Sequence, residues 1–156
     1  MNQNENVRYF ERLSTAKTEY KLPERSTNFS AGYDFFAPYK VVCKPHEITF
    51  VRTGVKACMM NDEVLLIFNR SSNPTKKGLI LPNGVGVVDA DYYNNPSNEG
   101  EIGFMFYNIT ENDVVIEKGD KLGQGVFVSF LMTSEDMAKV FDEAKKRSGG
   151  FGSTGN

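Results

Sequence analysis

Apolar residues in this chain recur in short runs, several of them with a period of two. The segments Tyr39–Cys43, His46–Val51, Glu63–Phe68, Gly84–Val88, Glu101–Asn108, Val114–Glu117 and Gly125–Phe130 are rich in Val, Ile, Phe and Tyr. In EIGFMFYN, Ile102, Phe104 and Phe106 share one face, the alternation of a half-buried strand. Turn signals at Pro38, Pro45, Gly54, Asn61-Asp62, Pro82-Asn83-Gly84, Asn94–Asn98 and Gly119-Asp120 separate the runs. Many short strands with turns at this spacing predict an all-β sandwich, jelly roll or barrel. One segment changes period. TSEDMAKVFDEAKKR places Met137, Val140, Phe141 and Ala144 at helical spacing, with Thr133 or Ser134 as N-cap, acids in the first turn and Lys145, Lys146 and Arg147 at the end. Beyond it, SGGFGSTGN holds four glycines and one large apolar residue, Phe151. Alone, such a tail is expected to be disordered, because it buries too little to offset its backbone entropy.

Composition narrows the class. The 156 residues suit a single domain with a core that needs no disulfides. Eighteen Lys and Arg against twenty Asp and Glu give a net charge of −2, which argues against general nucleic-acid binding. Cys43 and Cys58 share no metal or redox spacing and sit in apolar surroundings, so they read as buried free thiols. The start MNQNENVRYFERL lacks an apolar signal region, and no run nears the ~20 apolar residues of a membrane span. A soluble, cytoplasmic protein is expected.

Two glycine patterns fail as nucleotide fingerprints. GFGSTG at 150–155 lacks the flanking strand and helix that the dinucleotide motif requires, and GVGVVD at 84–89 puts Asp89 at the third glycine. No P-loop exists. His46, the sole histidine, follows a proline at a turn and reads as a surface residue. The informative stretch is Asp89-Ala90-Asp91-Tyr92 after the apolar GVGVV. On a continuing strand both carboxylates would share one face. Nearby in composition, Arg70-Ser71-Ser72 offers a fork donor with hydroxyls, a workable phosphate clamp or equally a helix cap.

Five segments in order carry a resemblance. AGYDFFAP (31–38), NRSSNPTKKG (69–78), PNGVGVVDADY (82–92), KGDKLGQ (118–124) and RSGGFGSTG (147–155) span about four-fifths of the chain. They closely resemble the ordered motifs of the homotrimeric, all-β dUTP diphosphatases (dUTPases). The resemblance implies a jelly-roll-like β-barrel core (1–132), a short helix and linker (133–147) and a flexible glycine-rich arm (148–156). It also implies a homotrimer with three sites at subunit interfaces. The implied reaction is hydrolysis of dUTP to dUMP and pyrophosphate with Mg²⁺ on the triphosphate, which limits uracil in DNA and supplies dUMP for dTMP synthesis.

The resemblance also implies roles. Asp89 matches the general base that activates water for in-line attack on the α-phosphorus. Arg70, Ser71, Ser72 and Gln124 match phosphate contacts, with Ser71 near the oxygen bridging the α- and β-phosphorus. Asp34 matches a carboxylate that holds metal-bound waters. Asn83, Gly86 and their hairpin match the uracil pocket, and Tyr92 matches the ring beneath the deoxyribose that excludes a 2′-hydroxyl. Phe151 matches the aromatic that stacks on uracil when the arm closes, while Arg147, Gly152, Ser153 and Thr154 match phosphate contacts of that arm.

The departures are Asn69, Lys121 and Gly123, where proline, arginine and alanine are common in the family, and Arg147, one residue nearer the phenylalanine. The largest is YNNPSNEGE at 93–101, which replaces a short turn and is similar to elongated members from Gram-positive bacteria and their phages. This hairpin is expected to be a solvated loop, or alternatively a surface for a protein partner such as a phage-type repressor. A related fold-mate, dCTP deaminase, fits less well, because the third-motif acid is Asp89 and the stacking arm is complete.

Overall fold

Alternating apolar residues build eleven strands in the computed structural model, which describes residues 7–148 and the side chains of residues 7–144. The strands are β1 (Tyr9–Arg12), β2 (Glu24–Arg25), β3 (Tyr33–Phe36), β4 (Val41–Cys43), β5 (Ile48–Cys58), β6 (Glu63–Asn69), β7 (Leu79–Ile80), β8 (Gly86–Asp89), β9 (Ile102–Asn108), β10 (Val114–Ile116) and β11 (Lys121–Ser129), followed by helix α1 (Ser134–Ser148). They form antiparallel sheets ordered β1-β5-β9-β7, β10-β4 and β2-β3-β11-β6-β8. Among the described residues the ladders do not join into one closed cylinder. The jelly-roll-like core is instead sheets packed over shared apolar faces.

Those faces are the ones the period-two pattern selects. Ile102, Phe104 and Phe106 point inward from β9, Leu65 and Ile67 from β6, and Val51, Val55 and Ala57 from β5. Phe35 of β3 packs against Phe104 with ring centroids 5.5 Å apart, which joins the two larger sheets, and Phe10 of β1 contacts Phe35, Tyr33 and Phe127. Each such buried ring or aliphatic side chain contributes about 1.5–3 kcal/mol. Gly123 is buried, and the position requires glycine because a Cβ there would overlap the Phe104 ring and the Phe68 carbonyl.

Several boundaries differ from the sequence reading. β1, β2, β3 and β7 escape it because they are short or mixed in polarity. Gly54 does not end a strand: it sits at φ +69° in a bulge between Arg52 and Val55, and β5 runs on to Cys58. A glycine in the left-handed region absorbs the extra residue without breaking the ladder. Cys43 is buried and Cys58 half-buried, both free, and burial pushes the Cys43 thiol up. His46 is half exposed and pairs with Glu111 at 2.8 Å.

Helix α1 is capped by Thr133, whose Oγ1 accepts the Asp136 N–H at 3.2 Å and donates to the Asp136 carboxylate at 2.9 Å. Its apolar stripe of Met137, Val140 and Phe141 is more than half exposed.

Candidate active site

Three of the five motif segments meet at one end of the β3-β11-β6 sheet. Gln124 of β11 lies directly opposite Asp34 of β3, and glycine at position 32 leaves the room that the Gln124 amide fills. The neighbouring ladder sets Gly123 opposite Asn69 of β6, so Arg70-Ser71-Ser72 emerges beside Leu122. A bulge between Lys121 and Gly123 re-aims the start of β11. The Lys121 ammonium then reaches back to Asp34 Oδ2 at 2.6 Å.

The Arg70-Ser71-Ser72 turn is held by buried amides. Asn73 is 3% exposed, and its Nδ2 donates to the Leu122 carbonyl and to Asn69 Oδ1, each at 2.8 Å. Asn69 Oδ1 also accepts the Arg70 N–H at 2.9 Å, while Asn69 Nδ2 donates to the Leu79 carbonyl at 3.0 Å. A π-helical turn, Asn73–Lys77, follows and ends at Gly78 with φ 65°. Ser72 holds the N-cap position of that turn without capping it by a side-chain hydrogen bond. Lys77 Nζ bridges to Asp120 Oδ2 at 3.0 Å, which ties the turn to the loop before β11. Burial pushes the Asp120 carboxyl up, but Lys77, the Glu117 N–H and the nearby Arg70 charge together hold it below the usual range. Sequence reasoning missed Asn73, Lys77 and Asp120, because an amide or a paired charge in a loop carries no periodic signal.

The third segment lies elsewhere. β8 pairs with β6 so that Gly86 opposes Ile67 and Asp89 opposes Val64, toward the opposite end of β6 from Arg70. Asp89 is exposed and lines a cleft of about 340 Å³ with Asn61, Ala90, Asp91 and Phe130. Asp89 and Asp91 do not share a strand face as expected: the chain leaves extended geometry after Asp89 and enters a 3₁₀ turn, Ala90–Tyr92. Asn83 and Gly86 line a second, smaller hollow of about 50 Å³ with Leu81, Phe50 and Gly103. Asn83 is exposed in the turn that carries the chain from β7 to β8, where its carbonyl accepts the Val85 N–H at 2.9 Å and Gly84 takes φ +71°.

Tyr92 is half-buried, and its hydroxyl donates to the Glu101 carbonyl at 3.1 Å while accepting from Asn98 Nδ2 at 2.6 Å. The 93–100 hairpin is therefore not a freely solvated loop; its polar side chains bond the chain's own strands. Arg147 belongs to α1, but its side chain lies outside the described residues, as do Phe151, Gly152, Ser153 and Thr154. No three acidic, His or Cys side chains among the described residues are arranged to hold a metal.

Comparison with known proteins assigns this geometry. The family model for dUTPase matches residues 18–155. A deoxyuridine 5′-triphosphate nucleotidohydrolase of Lactococcus lactis is 51% identical over 143 residues, covering 88% of this chain and 93% of the relative. One from Rickettsia bellii is 35% identical over 137 residues, with 86% and 87% covered. The crystal structure of dUTPase from Streptococcus mutans superposes with a TM-score of 0.78 at 48% identity, covering 80% of this chain and 98% of that one. A dUTPase from phage phi11 of S. aureus shares the fold, with a TM-score of 0.70 at 24% identity over 83% of this chain and 94% of that one. With the family model spanning most of its length and a relative sharing half its residues, this chain belongs to the dUTPase family.

Proposed function

We propose that this protein hydrolyses dUTP to dUMP and pyrophosphate in the cytoplasm, as a homotrimer whose sites are each assembled from more than one copy. The observation that carries the shared site is the division of the motif residues. Along β6, Asp89 sits at the level of Val64 and Gln124 at the level of Phe68, on strands flanking β6 on opposite sides. Four residue steps at ~3.3 Å and two strand spacings at ~4.8 Å put their backbones roughly 16 Å apart. The water that Asp89 activates and the phosphorus it attacks must be held in one near-attack geometry, and backbones so far apart on one copy favour a site completed by a neighbour. One copy would supply Asp89, Asn83, Gly86 and Tyr92, and a neighbour would supply Asp34, Arg70, Ser71, Ser72 and Gln124. Residues 148–156, with Phe151, Gly152, Ser153 and Thr154, would close over the ligand as an arm, with Arg147 at its base.

In this reading Asp89 takes a proton from a water whose oxygen forms the new bond to the α-phosphorus. The bond from that phosphorus to the α–β bridging oxygen breaks, and the electron pair leaves with pyrophosphate. Arg70 binds the phosphates as a fork, and Gln124 and the Ser71 hydroxyl donate where charge grows. Asn83 and the hairpin backbone read the uracil edge, and a site built around such hydrogen bonds rejects a mispaired base by ~10⁴–10⁵. Mg²⁺, when bound, neutralises phosphate charge. The donor set on this chain fits an ion carried by the ligand rather than caged by protein: Asp120 is tied to Lys77, and Asp34, 15% exposed, uses Oδ2 toward Lys121. That leaves Oδ1 to hold a metal-bound water.

The test is pyrophosphate release across dUTP, dTTP, dCTP and UTP, with Asp89→Asn alongside the unmodified protein. Turnover of dUTP alone is expected, and the substitution should lower it by ~10²–10⁴-fold with dUTP binding retained. Near-normal turnover by Asp89→Asn would overturn the assignment of the base, and ammonia release from dCTP would overturn the reaction.

A further inference from the structure

The 93–100 loop is partly exposed at Asn94, Pro96 and Ser97, yet its polar side chains bond back onto the chain, and several of these contacts converge on Tyr92. The Tyr92 hydroxyl is fixed at two points, as donor to the Glu101 carbonyl at 3.1 Å and as acceptor from Asn98 Nδ2 at 2.6 Å. Asn98 is itself fixed, since its Oδ1 accepts the Gly100 N–H at 3.0 Å and its own N–H donates to the Asn95 carbonyl at 3.3 Å. Gly100 is buried at φ +84° against the Tyr92 carbonyl, where any Cβ would overlap. The hairpin thus wraps the tyrosine from behind.

A second set of bonds clamps the hairpin to the sheet. Lys56 of β5, 8% exposed, extends its ammonium to Asn94 Oδ1 at 2.6 Å and to Glu99 Oε2 at 3.3 Å, with Glu11 of β1 at 3.7 Å. Glu99 also accepts the Ser14 N–H at 3.1 Å and the Ser14 hydroxyl. Ser14 is the chief reason that the Glu99 carboxyl lies below its usual range. Tyr93 turns back to Glu11 at 2.5 Å and lies edge-on to the Tyr9 ring. Asn94 and Glu99 both hold positive φ, 60° and 59°, a conformation uncommon among non-glycine residues and least costly for asparagine. A merely solvated loop needs neither a buried ammonium at its base nor two such residues.

We propose that the 93–100 hairpin is a specificity brace, in which Asn98 is a positioning residue that holds Tyr92 upright and Lys56 locks the brace to the sheet. The inference rests on the reading of Tyr92 as the floor beneath the deoxyribose. A ring pinned at its hydroxyl cannot tilt to admit a 2′-hydroxyl. A ring held by the Glu101 carbonyl alone can. The brace therefore acts on the choice between dUTP and UTP rather than on the chemical step.

The experiment measures kcat/KM for dUTP and UTP in the full-length protein and in Asn98→Ala, Tyr92→Phe, Tyr92→Ala and the Asn98→Ala/Tyr92→Phe double variant. Loss of one pinning hydrogen bond should narrow the dUTP-to-UTP ratio by about five- to tenfold. Tyr92→Phe, which removes both bonds of the hydroxyl, should narrow it at least as much, and the double variant no further than Tyr92→Phe alone. If Asn98→Ala folds poorly, an unchanged ratio in Tyr92→Phe still overturns the brace. A wild-type ratio in both Asn98→Ala and Tyr92→Phe, with a narrowed one in Tyr92→Ala, overturns the brace and leaves the sugar floor standing. An unchanged ratio in Tyr92→Ala overturns the floor and the brace together.

Discussion

Two inactive variants of this protein should restore activity to each other when mixed. Asp89→Asn removes the proposed base, and Arg70→Ala removes the proposed phosphate fork at the far end of β6. Asp89 sits level with Val64, so six residue steps and one strand spacing put its backbone roughly 20 Å from that of Arg70, and the shared-site reading draws the two groups from different copies. In oligomers re-formed from an equal mixture, a site is intact when the copy giving Asp89 is an Arg70→Ala chain and the copy giving Arg70 is an Asp89→Asn chain. Each condition holds half the time, so about one quarter of wild-type turnover is expected for any closed ring with such a head-to-tail site. The assay co-refolds the two variants, confirms mixed oligomers by differential tags, and follows pyrophosphate release. Turnover in verified mixed oligomers no higher than in either parent would refute the shared site, because groups that act within one copy cannot complement.

Asn73→Ala strands the Leu122 carbonyl that Asn73 Nδ2 satisfies in the buried turn, at a cost of about 1–3 kcal/mol; chemical denaturation should show it, and dUTP binding should weaken as the Arg70 turn loosens. Arg8 bonds the buried Glu63 carboxylate and holds that carboxyl below its usual range, with the Met60 N–H helping and burial opposing. A depressed carboxyl stabilises the fold above its unfolded pKa and loses that contribution as pH falls below about 4.5. The thermal midpoint of Arg8→Ala should therefore lie below wild type at neutral pH and converge on it in acid, and a constant gap would refute the linkage. Thr133→Ala removes the α1 cap and should raise amide exchange in the first helical turn, by an amount equivalent to about 1 kcal/mol, without changing exchange in β9.

How much was legible in the sequence follows from the range of the interactions involved. Ile102, Phe104 and Phe106 announce β9 because one buried face imposes a local period of two, and Thr133 announces α1 because capping is local. Gly54 misled as a turn, since the same backbone freedom serves a bulge, and only pairing with β9 decides between them. Asp91 misled as a face-mate of Asp89 because nothing in DADY marks where extended geometry yields to a 3₁₀ turn. The motif segments name Arg70, Asp89 and Gln124, yet their order along the chain hides that β8 and β11 flank β6 in a register that separates them. Asn73 and Lys56 were illegible for the same reason: their partners lie at Leu122 and Glu99, and no local pattern encodes such a meeting.

The distribution of charge at the Arg70 end explains how a chain of net charge −2 can face a polyanion. Lys77 is paired with Asp120 and Lys121 with Asp34. Each pair is nearly neutral beyond a Debye length of ~8–10 Å, so neither attracts a triphosphate from a distance. Their work is geometric, since Lys77 ties the π-helical turn to the loop before β11 and Lys121 links the start of β11 to β3. The Arg70 guanidinium, by contrast, makes no hydrogen bond or ion pair with another side chain among the described residues, although Asp120 feels its charge. Its backbone N–H is fixed by Asn69 while its fork of donors is left unused. A guanidinium so placed can meet two phosphate oxygens at once without first breaking a protein contact, whereas each lysine would have to surrender a carboxylate. The paired cations fix the shape of this end, and the unpaired fork of Arg70 is left to meet an anion.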